Sequence, residues 1–206
     1  MPCTGTPTVT YGGQVYNTVQ IGTQCWFKEN LNIGTRINGG AGQTNNSIME
    51  KYCYNDLESN CNIYGGLYQW NEMMQYVTTE GVQGICPTDW HIPTDAEWST
   101  VTTFLGGTGV AGGKMKSTGT IEAGTGLWYD PNTGATNESG FTAVPPGARN
   151  IYGSFNDLGS YGYWWSSTKY DASTSYNRVM YYNLSNVYRN YDYNLNGFSV
   201  RCLRDF

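Results

Sequence analysis

The chain is 206 residues long, enough to bury a sizeable core and usual for one domain. Only 13% of it is charged while 15% is aromatic, with 18 Tyr and 7 Trp, and that much aromatic surface collapses, which excludes a disordered chain. The formal charge is −5 and no Lys/Arg cluster occurs, which disfavours nucleic acid as a partner, because phosphate binding rests on basic side chains that displace counterions.

The opening MPCTGTP has neither a basic start nor an apolar core, so no signal peptide is visible, and no run is long and apolar enough for a membrane span. Residues 11–21 (YGGQVYNTVQI) read as a period-2 strand with Val15, Val19 and Ile21 on one face. In WFKENLN, Trp26 and Leu31 are expected core anchors, and Gly34 to Ser47 reads as an exposed loop. GGLYQWNEMMQYV places Leu67, Trp70, Met73, Met74 and Val77 at helical intervals, which predicts a first helix whose Met and aromatic side chains pack the core. HIPTDAEWSTVTTFLGG carries a sharper signal. Thr94 with Glu97 three residues on forms a capping box, Trp98, Val101 and Leu105 supply the buried stripe, and Gly106-Gly107 ends the helix.

From Gly106 to Gly162, Gly-rich turns separate short apolar pieces such as GLWYD and FTAVPPG. A tract of that length is either functional or packed by its own aromatics. YWWSS, SYNRVMYYN and NVYRN then read as strands, the last two joined by a turn near Leu184 to Asn186. Alternation puts Arg178, Met180 and Tyr182 on a framework face and Val179, Tyr181 and Asn183 on the other. On the returning strand Tyr188 and Asn190 oppose Val187 and Arg189. In GFSVRCLRD, Phe198, Val200 and Cys202 point together, as in a final buried strand. No composition shift marks a domain boundary, so residues 1–206 are expected to form a single α+β domain.

The cysteines are Cys3, Cys25, Cys53, Cys61, Cys86 and Cys202. Their even number, irregular spacing and lack of a CxxC pair favour disulfides in an oxidising compartment over a zinc site. Cys53 and Cys61 are expected to pair around YNDLESN, Cys86 with Cys202, and Cys3 with Cys25. The chain is therefore expected to be extracellular or on a cell surface, with its export signal removed.

Chemistry is thinly supported. The single histidine, His91, sits just before the turn into the capped helix and reads as a structural hydrogen-bonding group. No GxSxG, HExxH or P-loop string occurs, and no spacing singles out a carboxylate pair. No catalytic residue, cofactor or metal is expected. The segment from Tyr170 to Asn196 is different: seven Tyr, six Asn, three Ser and two Asp among twenty-seven residues give it the composition of a paratope. Tyr supplies rigid contact area at low entropic cost, and small polar residues adapt their hydrogen bonds. The candidate ligand-binding residues are Tyr170, Asp171, Val179, Tyr181, Asn183, Leu184, Asn186, Tyr188, Asn190, Tyr191, Asp192, Tyr193 and Asn194, with Tyr161 and Tyr163 at the rim.

Several strings combine into a resemblance. CWFKENLN, YCYNDLESNCNIYGGLYQW, GICPTDWHIPTDAEW, YGYWWSST and GFSVRCLRD, in that order and over nearly the whole chain, resemble the Fibrobacter succinogenes major paralogous domain. The resemblance implies a C-type lectin-like fold of the branch that includes formylglycine-generating enzymes. Such a fold has two helices around small twisted antiparallel sheets and a long irregular insertion that carries the ligand surface. The catalytic cysteine pair of those enzymes does not carry over, because Cys202 alone lies in the last hundred residues. The calcium-lectin strings Glu-Pro-Asn and Gln-Pro-Asp are also missing.

Lectin-like domains of this kind are the usual displayed proteins of diversity-generating retroelements, which randomise adenines at AAY codons near the end of the gene. Such codons never become Lys, Glu, Gln, Met or Trp. From Tyr170 to Asn196 the one residue of that set is Met180, on the framework face. The resemblance thus implies a non-enzymatic display protein with a variable region at about 161–196. It would bind a protein or glycan on another cell or virus surface, without inserting into a membrane. The alternatives are an enzyme of the formylglycine-generating kind that uses other residues, and a structural cell-surface adhesion module.

Overall fold

A computed structural model describes residues 1–205. In chain order the strands are β1 (Thr8–Tyr11), β2 (Gln14–Ile21), β3 (Gln24–Phe27), β4 (Thr35–Arg36), β5 (Glu50–Lys51), β6 (Trp90–His91), β7 (Ala148–Arg149), β8 (Phe155–Asn156), β9 (Tyr161–Lys169), β10 (Thr174–Tyr181), β11 (Tyr188–Tyr193) and β12 (Leu203–Arg204). The helices are short: α1 (Glu58–Tyr64), α2 (Trp70–Met73), α3 (Asp95–Phe104) and α4 (Ala111–Met115). The result is a mixed fold, mostly strands, with curled antiparallel sheets.

Gly12 and Gly13, both at positive φ, turn β1 into β2. The five-stranded sheet runs β1-β2-β3-β12-β6, so the end of the chain is inserted between its beginning and its middle. A second sheet has the order β11-β10-β9 and carries the Tyr/Asn tract at its open edge. Two cores result, and alternation along shared strands feeds both. In β3, Cys25 and Phe27 enter one core and Trp26 the other; in β9, Trp165 enters the first and Trp164 the second. Phe198, Val200 and Cys202 join the first core while Leu203 joins the second. The expected final strand through Phe198, Val200 and Cys202 is instead an irregular segment with isolated bridges from Phe198 to Tyr68 and from Ser199 to Trp164 before β12. It runs between the two cores, which is why FSVRCL is buried throughout.

Burying so many indoles requires acceptors for their N–H groups. Trp70 donates to Ser166 O (2.9 Å), Trp98 to Trp165 O (3.2 Å), Trp128 to Ala143 O (2.9 Å), Trp164 to Asn30 Oδ1 (2.8 Å) and Trp165 to Tyr68 O (2.8 Å). Four of these bonds tie helices and loops to β9, and that of Trp128 joins two stretches of the irregular tract.

The capped helix appears as α3: Thr94 Oγ1 accepts from Glu97 N at 3.2 Å and Glu97 Oε2 accepts from Thr94 N at 2.8 Å. Cys3–Cys25, Cys53–Cys61 and Cys86–Cys202 are the three disulfides, as expected. No described helix is long and apolar enough to cross a membrane.

Other expectations need correction. The predicted first helix shrinks to the single turn α2; Leu67 instead bridges to Tyr52, and Val77 is exposed. Its apolar spacing was set by a folded-up irregular segment packing the core, not by a continuous helix. Helix α1 precedes it within the Cys53–Cys61 region, and α4 lies in the Gly-rich tract; neither has an apolar stripe long enough to read. Val15 is exposed because it lies outside the stretch of β2 that pairs with β3 (Thr18–Ile21), and Tyr16, on the opposite face, is buried in the first core. The segment from Gly34 to Ser47 is mostly exposed, although Gly39 and Gln43 are buried.

Candidate functional site

The sheet β11-β10-β9 positions most of the candidate residues. Across its antiparallel ladders Tyr181 is opposite Tyr161, Val179 lies between Tyr163 and Tyr188, Asn177 between Trp165 and Asn190, and Ser175 is opposite Asp192. Directly opposed residues share a face. One face therefore carries Tyr161, Tyr163, Val179, Tyr181, Tyr188, Asn190 and Asp192. The other carries Trp164, Tyr176, Arg178, Met180, Arg189, Tyr191 and Tyr193.

The central strand β10 is covered on both faces. Met180 and Trp164 lie in the second core, and Arg178 reaches α3, donating to Asp95 Oδ1 (2.7 Å) and Ser99 Oγ (3.0 Å). Exposure is concentrated on the edge strand β11, where Tyr188, Tyr191 and Tyr193 are 39%, 47% and 56% accessible. Two aromatic patches result, one on each face of that edge. On the first, Tyr181 meets Tyr161 edge-on at 4.7 Å and Tyr188 at 5.0 Å, with exposed Asn190 and half-buried Asp192 beside them. On the second, Tyr191 stacks on Tyr170 at 3.9 Å, and the Arg189 guanidinium lies 3.8 Å over the Tyr176 ring. Arg189 is held there by the Asp95 carboxylate, at 2.9 and 3.0 Å.

The structure redistributes the predicted residues. The group Tyr188, Asn190, Tyr191, Asp192 and Tyr193 does not form one cluster, because alternation along an edge strand sends its members to both faces. Val179 is buried under its neighbours and is not available to a ligand. Asn194 is also buried: its Oδ1 accepts from Ser175 Oγ at 2.7 Å and its backbone joins Ser173 O and Trp70 N. Asp171, although exposed, closes the β9–β10 turn by accepting from Ser173 N and Thr174 N, both at 2.8 Å. Tyr163 is half frame, stacked on Phe198 at 4.7 Å with its hydroxyl donating to Asp157 Oδ2 at 3.1 Å. Burial and the Asp157 carboxylate together hold its phenol above the usual range. Asp192 is likewise raised by burial, against the Asn177 amide that donates to it at 2.9 Å. Asn183 is exposed, and Leu184 and Asn186 are half-buried in the turn.

What holds this hairpin was not visible in the sequence. Lys116, fully buried, sends its ammonium to the main-chain oxygens of Tyr181 (3.0 Å), Leu184 (2.9 Å) and Tyr182 (3.4 Å). Burial pushes its pKa down to about 8, so at neutral pH it stays mostly charged. Gly113 N donates to Ser185 O (3.0 Å), Thr133 N to Tyr182 O (2.8 Å), and Val187 N donates to Thr108 O (2.9 Å). Further along, Gln69 Nε2 (2.9 Å) and Arg149 Nη1 (3.0 Å) both donate to Leu195 O. Each of these bonds uses a backbone atom of the tract and none of its side chains.

Two other groups with chemical potential are committed elsewhere. His91 bonds Glu97 Oε1 (2.9 Å) and Asp205, at the side of the five-stranded sheet. Cys53, Glu58 and Cys61 lie close enough together to suggest metal ligation, but the two sulfurs are joined to each other and offer no thiolate.

A family model described as the Fibrobacter succinogenes major domain matches residues 19–204. No curated protein and no solved structure matches the chain.

Proposed function

The chain belongs to the Fibrobacter succinogenes major domain family, and we propose that it is a non-enzymatic recognition module on a C-type lectin-like scaffold. Its ligand-facing residues are Tyr161, Tyr170, Tyr181, Asn183, Tyr188, Asn190, Tyr191, Asp192 and Tyr193, joined by Tyr176 and Arg189. The target is a protein or glycan met outside the cell, a setting that three disulfides favour.

One observation carries this reading: the frame grips the β10–β11 hairpin and the residues after it through main-chain atoms. A backbone atom is the same whatever side chain it bears. Positions 188, 190, 191 and 193, whose side chains make no hydrogen bond to the frame, can therefore be exchanged while the strand keeps its place, whereas Arg189 and Asp192 are also held through their side chains by Asp95 and Asn177. The Tyr and Asn richness then follows from adenine randomisation of AAY codons. Recognition rests on burying Tyr rings against the target, with Asn and Asp orienting it by hydrogen bonds.

The test is a library in which positions 188, 190, 191 and 193 take the residues an AAY codon can reach. Most members should remain folded with cooperative melting, and selection against an unrelated protein should yield binders. A library in which most members fail to fold would contradict the reading. In the genome, a downstream repeat that differs from the end of the gene at adenines, beside a reverse transcriptase, is the expected companion.

A further inference from the structure

On a different part of the molecule, a cavity of about 280 Å³ opens between β2, the segment after β3, the end of α1 and the loop at Thr142. None of its walls comes from the β11-β10-β9 sheet. Its floor holds Arg201, which is 1% exposed. Fully buried guanidinium groups normally face a carboxylate. Among the described residues, no carboxylate lies within ion-pairing distance of this one.

The hydrogen-bond tally of the walls is unbalanced. Arg201 spends four of its five N–H groups on Asn30 Oδ1 (2.7 Å), Phe27 O (2.8 Å), Phe141 O (2.8 Å) and Thr142 O (3.2 Å), which leaves one on Nη2. Tyr16 Oη accepts from Asn32 N (3.0 Å), and its own hydrogen has no acceptor among the described residues. The Lys28 ammonium, also on the wall, has neither an ion pair nor a hydrogen bond there. Three of the wall's side-chain acceptors, by contrast, are engaged, while the amides of Gln14 and Asn62 make no side-chain bond among the described residues. Glu29 receives Asn17 N and Asn17 Nδ2, both at 2.8 Å; Asn30 Oδ1 receives Trp164 Nε1 as well as Arg201; Asn32 Oδ1 receives Lys51 Nζ at 2.7 Å. The two cations of the wall, Arg201 and Lys28, outnumber its one carboxylate, Glu29, whose field already reaches Arg201, so the water-accessible space between them calls for a further acceptor bearing negative charge.

We propose that this cavity binds the carboxylate of a small organic acid, seated between Arg201, Tyr16 and Lys28. The volume is close to the lower limit of ordinary ligand sites, which are about 300 Å³ and upward, so the ligand is the size of a single acidic sugar or smaller. The amides of Asn32 and Asn62 at the wall suit hydroxyl groups beside the carboxylate. A site of this kind is independent of the recognition surface and would remain if that surface were replaced.

The experiment is a titration of the whole chain with glucuronate, acetate and glucose, followed by NMR shifts of the Arg201 Nε–H and of the Lys28 and Tyr64 amides. Saturable shifts with both carboxylates, with dissociation constants on the order of millimolar, and none with glucose are expected. Lys28→Met should weaken binding at least roughly tenfold, the factor associated with one charge-assisted contact. Ile63→Trp, at a half-exposed wall position, should block the site. Both changes sit on accessible side chains and leave the buried Arg201 network in place. Absence of saturable shifts with either carboxylate would overturn the proposal. So would equal binding of glucose, or carboxylate binding that survives Ile63→Trp.

Discussion

Lys116 offers the sharpest test of how the hairpin is held. In Lys116→Met the side chain keeps its length and its packing beside Trp128, whose ring centre lies 5.3 Å from the ammonium, so little cavity is created. What is lost is the donor. Among the described residues Leu184 O has no other partner, Tyr181 O keeps only a long bond from Leu184 N (3.4 Å), and Tyr182 O keeps Thr133 N. An orphaned buried acceptor costs about 1–3 kcal/mol. Relief from burying a charge works in the opposite direction, so a net loss of about 2 kcal/mol is expected. For a chain of this size that lowers Tm by roughly 4–8 °C.

The linkage has a definite sign. The folded pKa of about 8 lies below the unfolded 10.5, so the unfolded state binds more protons between those values. Wild type should therefore gain stability relative to Lys116→Met as pH rises from about 8 to 10.5; Tyr ionisation is common to both proteins and cancels in the difference. Thermal melts across that range, with hydrogen exchange of the amides of Tyr182 to Val187, are the assays. Exchange in that segment as slow in Lys116→Met as in wild type would refute the idea that the ammonium anchors the turn.

The edge tyrosines should behave differently from one another. Tyr193→Ser, at the most exposed position, is expected to cost under about 1 kcal/mol, while Tyr191→Ser costs about 1 kcal/mol more because it breaks the stack on Tyr170, as equilibrium denaturation would show. Gly112→Ala drives a methyl group into the main-chain oxygen of Asn186, so it should displace the hairpin and lower Tm although it touches no side chain of the tract. Opening Cys86–Cys202 by a double Ser substitution frees a loop of 116 residues and should cost about 2–5 kcal/mol in urea denaturation. At His91, burial opposes protonation, but the bonds to Glu97 and Asp205 outweigh it and raise the pKa above 6.5; at Glu97, burial opposes ionisation, but His91 and Thr94 lower the pKa below 4.5. The His91 contribution is thus complete below 6.5 and fades as pH rises through the folded value, and the Glu97 contribution is complete above 4.5 and fades as pH falls. His91→Gln should accordingly destabilise most between about pH 4.5 and 6.5, with the deficit shrinking as pH rises through the raised folded pKa.

Local rules carried much of the reading. A capping box needs only Thr94 and Glu97 at the right spacing, because both of its bonds close within one turn. Of the disulfides, only Cys53–Cys61, eight residues apart, has a local reason to pair; six cysteines allow fifteen pairings, and the meeting of Cys86 with Cys202 across 116 residues is a product of the fold. The alternation of SYNRVMYY and NVYRNYDY was also legible, since period-2 order is a property of an extended chain whatever surrounds it. The first helix misled for the converse reason: Leu67, Trp70, Met73 and Met74 are all buried, and burial in an irregular segment produces the same apolar spacing as a helix face.

Alternation says which residues share a face; it cannot say whether that face is covered. That is why Val179 and Asn194 are buried although they lie in the same tract as exposed Tyr188 and Tyr193, and why one Tyr cluster became two patches on either side of an edge. The same holds for Lys116 and Arg201, whose partners lie between about 60 and 170 residues away along the chain. From its amino acids alone the protein settled its capped helix, its local Cys53–Cys61 bridge and the in-and-out order of its Tyr/Asn-rich strands, all of which depend on residues close in the chain. Which surfaces meet water, and which buried cation holds which backbone, was decided only when distant segments packed together, because burial is a property of the assembled neighbourhood and not of any one stretch of chain.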